Sequence, residues 1–426
     1  MTLLLLLTAM LLLLALRIPV AFAMLLPCLV YVGLSDQIMG VAIQRIVAGV
    51  NSFPLLAVPL FIMTGYLINA AGLADRLLTL LRCLLGRIPG NLAYVNVSSS
   101  VMFSWMSGAA IADAAGLGAV LVPAMRRQGY DTGFSVGLTA ASSMIGPIMP
   151  PSIPAIIYAV TAGVSVAGLF FAGVLPAFVL AAFLCIHVFF HVRLHPYAGA
   201  TKTIDQPDAL WPVVRAALPV LVTPVIILGG ILGGIFTPTE AAAAAVCYML
   251  ALGIGYRSLT LQAVTDVFLQ TARTTGTIML IVAAASLFGW VIAREQGPQM
   301  VAEQLLRWTE NPYVFLLLVN IFLLLVGMLL EPTAALLICV PVLLPVATHF
   351  EVDPLHLGTI MILNLVIGLV TPPIGLVLYI LGSVAGVPLT VVMRGILPFL
   401  FPLLLTLIMV TFLPGLSLWL PRWLGW

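Results

Sequence analysis

The sequence predicts an all-α polytopic membrane protein made of two inverted repeats, each with five spans and one re-entrant hairpin. Three observations lead there. Of 426 residues, 63% are hydrophobic and only 7% are charged, whereas a soluble domain carries about 25% charged residues. The apolar runs are continuous rather than alternating, which selects helices over a closed barrel as the spanning structure. Finally, sliding the chain along itself by 222 residues sets Pro123 on Pro345, Asp131 on Asp353, Ile145 on Ile367 and Gly146 on Gly368 without a gap. The same shift sets Pro150-Pro151 on Pro372-Pro373. So few charges cannot clothe a water-facing surface, which excludes a soluble enzyme, a nucleic-acid binder and a disordered chain.

The elements follow from where the charges fall. Met1 to Leu16 is apolar, with no basic residue before it and Arg17 after it. A secretory signal carries its charge ahead of the apolar stretch, so this segment reads as a retained first span, 2–16. The spans 18–35 and 53–72 follow. Asp113 to Arg126 encloses only 12 uncharged residues. A crossing needs about 20, so this piece reads as one limb of a hairpin over 91–125. The uncharged run 132–192 has 61 residues, enough for a broken span at 134–160 and a further span at 168–192. The second half repeats the series: spans 213–235, 239–256 and 274–293, a hairpin at 312–348, a broken span at 356–380 and a last span at 395–413.

Residues 1–200 and 213–426 are thus the two halves, joined by a cytoplasmic linker over 201–212. Shorter matches agree: Pro19 with Pro238 and Cys28 with Cys247 at a shift of 219, and Gly65 with Gly289 at 224. Leucine-rich stretches align by chance, so the weight rests on Gly, Pro and Asp. Three stretches, 73–88, 259–273 and 298–310, carry one polar stripe at helical spacing and read as helices lying at the membrane interface; a polar helix end at a span boundary is the other reading.

A hairpin returns to its own side, so each half crosses five times and the second half is inverted, a common ground plan of secondary transporters. Basic residues concentrate on the cytoplasmic side of such chains. With Arg193, Lys202 and Arg215 assigned inside, Arg17, Arg76, Arg82, Arg87, Arg126, Arg127, Arg257, Arg273 and Arg394 also fall inside. Only Arg45, Arg294, Arg307 and Arg422 fall outside. Both termini are then expected outside, on the periplasmic side of a Gram-negative inner membrane.

Polar chemistry gathers at the hairpin tips and at the breaks. The tips are Ser107-Gly108-Ala109-Ala110-Ile111-Ala112-Asp113 and Glu331-Pro332-Thr333-Ala334. The breaks are Ser142 to Ser152, holding Gly146 and Pro150-Pro151, and Gly368-Leu369-Val370-Thr371-Pro372-Pro373. Proline removes a donor and clashes with the turn before it, so paired prolines free carbonyl oxygens at membrane depth. Protein, water or a hard cation must satisfy such oxygens, and unwound backbone of this kind can ligate Na⁺.

Two sodium sites are expected, one per half: Ser107, Gly108, Asp113, Ser143, Gly146 and Pro150; then Glu331, Thr333, Gly368, Thr371 and Pro372. Ala109, Ser152 and Asn364 are candidates for the substrate cavity. Asp113 and Glu331 are ionisable at membrane depth, where such groups are costly and either functional or paired. A helix N-cap or a structural ion pair is the other reading of each.

Other features read as structural. Thr237-Pro238-Thr239-Glu240 has the proline and first-turn acid of a helix start. His187, His191 and His195 share one helix face, which would suit a metal stripe or proton relay, but they stand at the cytoplasmic end of a span beside Arg193 and are expected to be interfacial. Arg126 and Arg127 are topology anchors. The five cysteines stand singly, without metal or redox spacing, and read as packing residues. No GxxxxGK[ST] loop is present and the chain has a single Lys, so an ion gradient or a partner must drive transport.

At these motifs the chain resembles the large membrane subunit of tripartite ATP-independent periplasmic (TRAP) transporters. The resemblance rests on Ser107 to Asp113 with Gly118 and Val122-Pro123-Ala124-Met125, on Gly146-Pro147-Ile148-Met149-Pro150-Pro151-Ser152-Ile153, on Thr237-Pro238-Thr239-Glu240-Ala241 and on Thr371-Pro372-Pro373-Ile374-Gly375. It implies an elevator-type, sodium-driven carrier of carboxylates such as C4-dicarboxylates, sialic acid or other sugar acids. It also implies two partners, a small four-helix membrane subunit and a soluble periplasmic binding protein. The family's first tip often carries paired serines after the glycine. Here Ala109 and Ala110 stand there, which removes side-chain hydroxyls from that tip.

A self-sufficient carrier without a binding protein is the first rival, separable by a neighbouring gene for a secreted binding protein. A proton-pumping respiratory subunit would need Lys and Glu along span centres, and an intramembrane protease would need paired Asp or a Ser/His couple there. Neither pattern is visible.

Overall fold

In the computed structural model, residues 2–35, 39–195, 210–307, 309–372 and 375–426 are described. Among them the secondary structure is helical throughout. Among the described residues eight helices are long and apolar enough to cross a membrane, so the chain is a multi-pass membrane protein.

The first half opens with α1 (Thr2–Ala15) and α2 (Val20–Leu34), followed by α3 (Met39–Val50) and α4 (Ala57–Ala70), with a short 3₁₀ turn at Phe53–Leu56 between the last two. Next come α5 (Leu73–Leu85), the hairpin helices α6 (Asn91–Ser107) and α7 (Ala110–Arg127), then α8 (Thr132–Ser143), α9 (Ile153–Ala162) and α10 (Val166–Leu194). The second half has α11 (Leu210–Pro224), continued through a π turn into α12 (Gly230–Leu232), then α13 (Pro238–Gly255), α14 (Leu261–Arg294) and α15 (Gly297–Leu306). It closes with α16 (Pro312–Leu329), α17 (Pro332–His349), α18 (Pro354–Gly368), α19 (Leu376–Ala385), α20 (Leu389–Phe412) and α21 (Gly415–Trp423).

Helix starts follow local chemistry. Asp131 caps α8 by accepting from the Phe134 N–H at 2.9 Å, and Asp353 caps α18 from the Leu355 N–H at 2.9 Å. Thr237 and Glu240 form a reciprocal capping box at α13, as the Thr-Pro-Thr-Glu motif predicts. Gly163 and Gly386 end α9 and α19 in the left-handed conformation, at φ +69° and +62°.

The structure differs from expectation in several elements. Residues 259–273 are not a separate interfacial helix but the first turns of α14, which runs unbroken for 34 residues. No proline interrupts it, and its Gly276 is in open space. In the first half, Asn51-Ser52-Phe53-Pro54 breaks the corresponding stretch into α3 and α4. The helices α3 and α21 are additions; charge punctuation hides α3 because Arg45 lies inside it. The 73–88 stripe forms α5, whose Leu73, Leu77 and Leu81 are buried against α6 and α11 rather than turned to lipid. There the Arg76 guanidinium lies 3.7 Å from the centre of the Tyr256 ring. Residues 201–209 of the expected linker, with Lys202, lie outside the described residues, as do Trp308, Pro373 and Ile374.

Two groups of helices pack around the centre. On one side, α2 and α4 pack on α14, and α4 also packs on α13. On the other, α8 packs on α20, α16 on α18, α7 on α19 and α17 on α9. The α8–α20 crossing is a backbone contact: a Cβ added at Gly137 would meet the Gly395 carbonyl oxygen at 2.1 Å, and one at Gly395 would meet that of Gly133 at 2.2 Å. Every residue from Phe134 to Ala159, and from His356 to Val370, is buried.

Candidate transport site

The tip of the first hairpin is built by one glycine. α6 ends at Ser107, and Gly108 turns the chain at φ +61°. A Cβ on Gly108 would lie 2.2 Å from the Pro151 carbonyl oxygen, so only glycine lets the tip press against the break between α8 and α9. The Ser107 hydroxyl donates to Asp113 Oδ1 at 2.6 Å. Asp113 is 3% exposed, and its Oδ2 is buried without a hydrogen-bond partner.

That oxygen faces Gly146: a methyl there would sit 2.4 Å from Asp113 Oδ2 and 3.4 Å from the Ser143 carbonyl oxygen. Ser107, Asp113, Ser143 and Gly146 therefore converge on one small oxygen-rich space, with Gly108 against the proline pair. The Pro150-Pro151 peptide bond is cis. The Ser143 hydroxyl is turned back to the Ala140 carbonyl at 2.8 Å, which leaves the backbone oxygen of Ser143, not its hydroxyl, toward Gly146.

The second tip is built differently. Glu331 is the N-cap of α17: its Oε2 accepts from the Ala334 N–H at 3.2 Å and its Oε1 from the Thr333 hydroxyl at 2.8 Å. Gly368 lies against Gly327, so closely that a Cβ on it would be 2.3 Å from the Gly327 carbonyl carbon. The Thr371 hydroxyl donates to the Ile367 carbonyl at 2.8 Å, and Pro372 is half-buried beside it. The orphaned oxygen on this side is Asn364 Oδ1, one turn before Gly368.

Both tips open on one cavity of about 330 Å³. Its wall includes Ser107, Gly108, Ala109, Glu331 and Thr333, with Tyr66 and Thr274 from α4 and α14 opposite them. The Tyr66 and Thr274 hydroxyls are hydrogen-bonded to each other at 3.1 Å. Of the three residues expected at the substrate cavity, Ala109 is on this wall. Ser152 and Asn364 are not on this wall. Ser152 is drawn away as the N-cap of α9, accepting from Ala155 and donating to the Pro147 carbonyl oxygen. Asn364 donates to Asn320 Oδ1 at 2.7 Å and to the Ile360 carbonyl at 2.9 Å, inside the helix packing.

The sequence reading missed the residues that tie hairpin to broken helix. Asn96 on α6 donates to Thr139 at 2.7 Å and accepts from Ser142 at 2.9 Å on α8. Asn320 on α16 pairs with Asn364 on α18 and donates to Thr411 on α20 at 2.9 Å. The signal was present: Asn96 and Asn320 stand 224 apart, the same offset as Gly65 and Gly289. Tyr66 and Thr274 carried no such mark. Of the histidine stripe, His187 and His191 are half-buried, with His191 stacked on Phe134 at 4.0 Å, while His195 is exposed.

Hairpin tips that meet two broken helices around a shared cavity, in a multi-pass helical chain, define a membrane transport permease. More particularly, the chain belongs to the family described as tripartite ATP-independent periplasmic transporter, DctM component, which matches residues 7–416. It is 41% identical to the sialic acid TRAP transporter large permease protein SiaM of Vibrio cholerae, over 95% of both chains. It is 38% identical to the C4-dicarboxylate TRAP transporter large permease protein DctM of Pseudomonas aeruginosa, over 92% of this chain and 91% of that one. Among solved structures it is similar in fold to the YdaH transporter of Alcanivorax borkumensis, with a TM-score of 0.63, 16% identity and 91% of each chain covered.

Proposed function

We propose that this chain is the permease of a binding-protein-dependent, sodium-coupled importer of small organic acids, working by an elevator mechanism in the bacterial inner membrane with both termini periplasmic. One observation carries the reading: the two hairpin tips share one cavity, and each stands beside the break of a broken helix. Inverted repeats would produce that arrangement. The equivalent caps Asp131 and Asp353, the terminating glycines Gly163 and Gly386, and the paired amides Asn96 and Asn320 all support it.

In this reading α6–α10 and α16–α20 form the moving bundle, and α1–α5 with α11–α15 the fixed scaffold. Na⁺ enters as a co-transported ion. The orphaned, buried Asp113 Oδ2 beside Gly146 fits a hard cation, which takes oxygen ligands. In the second half Asn364 Oδ1, one turn before Gly368, is an unspent buried acceptor, and Glu331, Thr333, Gly368, Thr371 and Pro372 are the further residues expected to hold the second ion. The residues' part is to hold these acceptors preformed, so that ion binding orders the breaks against the tips. The family implies a small membrane subunit and a soluble binding protein as partners. Matched large permeases for sialic acid and for C4-dicarboxylate make an organic acid the expected substrate class.

The test is uptake into proteoliposomes holding the permease, its small subunit and a cognate binding protein. Accumulation should require an inward Na⁺ gradient. Equal uptake on a proton gradient with Na⁺ absent would refute the coupling.

A further inference from the structure

In the proposed topology four arginines fall outside, against the usual cytoplasmic bias of basic residues. One of them, Arg422, has an acid partner, Asp353 at 3.5 Å. Arg45 and Arg294 have no acid within 4 Å among the described residues. They nevertheless converge: their guanidinium carbons lie 5.9 Å and 5.5 Å from the centre of one ring, that of Trp290. Both arginines are exposed. The ring attracts each cation but neutralises neither, so two uncompensated positive charges share one small patch.

The fold holds this patch in place. Arg294 is the last residue of α14, and Arg45 stands on α3. The Ser286 hydroxyl of α14 donates to the Arg45 carbonyl at 2.8 Å. A Cβ on Gly49 would lie 2.3 Å from Ser286 Cβ, so α3 is pressed directly on α14. The neighbouring Glu295 is engaged from α2, where the Tyr31 hydroxyl donates to it at 2.5 Å.

The depth of the patch follows from α3. Met39, Ile43 and Val47 recur one turn apart and are exposed, while Ala42 is buried. At about 100° per residue, Arg45 stands roughly 200° around the helix from Ile43. A helix with an apolar stripe on one side and an arginine on the other lies in the membrane interface, its stripe among acyl chains and its cation among headgroups. Tryptophan favours the same level.

We propose that Arg45 and Arg294 bind the phosphate of an anionic phospholipid beside Trp290. Guanidinium forks match phosphate oxygens, and a lipid of net negative charge balances the patch where a zwitterionic one brings a cation of its own. The lipid fixes the depth of α3 and α14 while the bundle slides. That role rests on the elevator reading; the binding site does not.

The test is native mass spectrometry of the permease extracted from vesicles of equal phosphatidylglycerol and phosphatidylcholine. Arg45→Gln/Arg294→Gln should lower bound phosphatidylglycerol by at least one molecule, at three-fold or lower occupancy of that site, and leave bound phosphatidylcholine unchanged. Arg45→Lys/Arg294→Lys should retain most of it. Either single glutamine variant gives a partial loss, which serves if the double variant does not fold. Equal phosphatidylglycerol in the parent and the glutamine variants overturns the site, and equal loss of both lipids overturns recognition by charge. Displacement of the lipid by the small membrane subunit assigns the patch to that subunit and overturns the proposal too. None of these outcomes touches the importer reading, which stands or falls on the sodium gradient.

Discussion

Gly108 and Gly163 both hold a positive φ, +61° and +69°, but only one of them is crowded. Alanine at Gly163 meets nothing within 4 Å and should cost only the left-handed strain, about 1–2 kcal/mol. Alanine at Gly108 adds a collision with the Pro151 carbonyl. Gly108→Ala is therefore expected to abolish uptake and Gly163→Ala to lower only the melting temperature. Similar uptake by the two variants would remove the tip from the transport site.

Asp113 gives a sharper test because the sign of the effect depends on its role. A buried carboxylate with one oxygen unpartnered is destabilising by itself. Asp113→Asn should therefore raise thermal stability in sodium-free buffer. If that oxygen serves Na⁺, the same variant should lose most of the stabilisation that added NaCl gives the parent chain, with sodium half-saturation weakened at least ten-fold. A sodium response identical to the parent's would reassign Asp113 to packing.

At the scale of the helix, termini were more legible than continuity. Thr237-Pro238-Thr239-Glu240 announced a capped start, and the cap is there with both reciprocal bonds. Thr237→Ala should cost about 1 kcal/mol, seen as a lower melting temperature with sodium dependence unchanged, and Thr237→Asn should restore most of it. The repeated Asp131 and Asp353 were visible as matches, and both turn out to cap the helices that lead into the breaks. Continuity was harder to read. A polar stripe over 259–273 looks the same whether the helix stops or runs on into a span, and only the missing proline keeps α14 whole. Side-chain partners were harder still. An Asn in an apolar run such as Asn320 states that a partner is needed, not which helix supplies it.

For the molecule as a whole, the apolar faces of α1 and α2 bear on what the chain can do alone. Leu4, Leu5, Leu11, Leu12, Leu26 and Val30 are exposed, a surface suited to lipid or to another membrane protein, where close packing is modestly favourable. A scaffold that holds still while a bundle slides gains from such an added subunit. The purified chain alone is expected to give no concentrative uptake, and uptake should appear when the small subunit and a binding protein are supplied. Robust accumulation by the single chain would promote the self-sufficient carrier. Composition made the membrane class readable and paired prolines marked the helix breaks, because burial in lipid and proline chemistry leave direct marks on sequence. The common cavity left none: Tyr66 and Thr274 stand 208 positions apart and meet only once α4 and α14 pack together.

The bare crossing of α8 and α20 has a mechanical consequence. Where two backbones touch at Gly133, Gly137 and Gly395, no side-chain torsion lies between them to swing and absorb a displacement. The joint has almost no play, so motion imposed on α20 passes undiminished to α8, and from α8 to the break at Gly146. A larger residue at any of these glycines would act as a spacer and introduce slack. Spin labels on α8 and α20 should hold one narrow distance distribution whatever the ion present, and Gly395→Ala should broaden it.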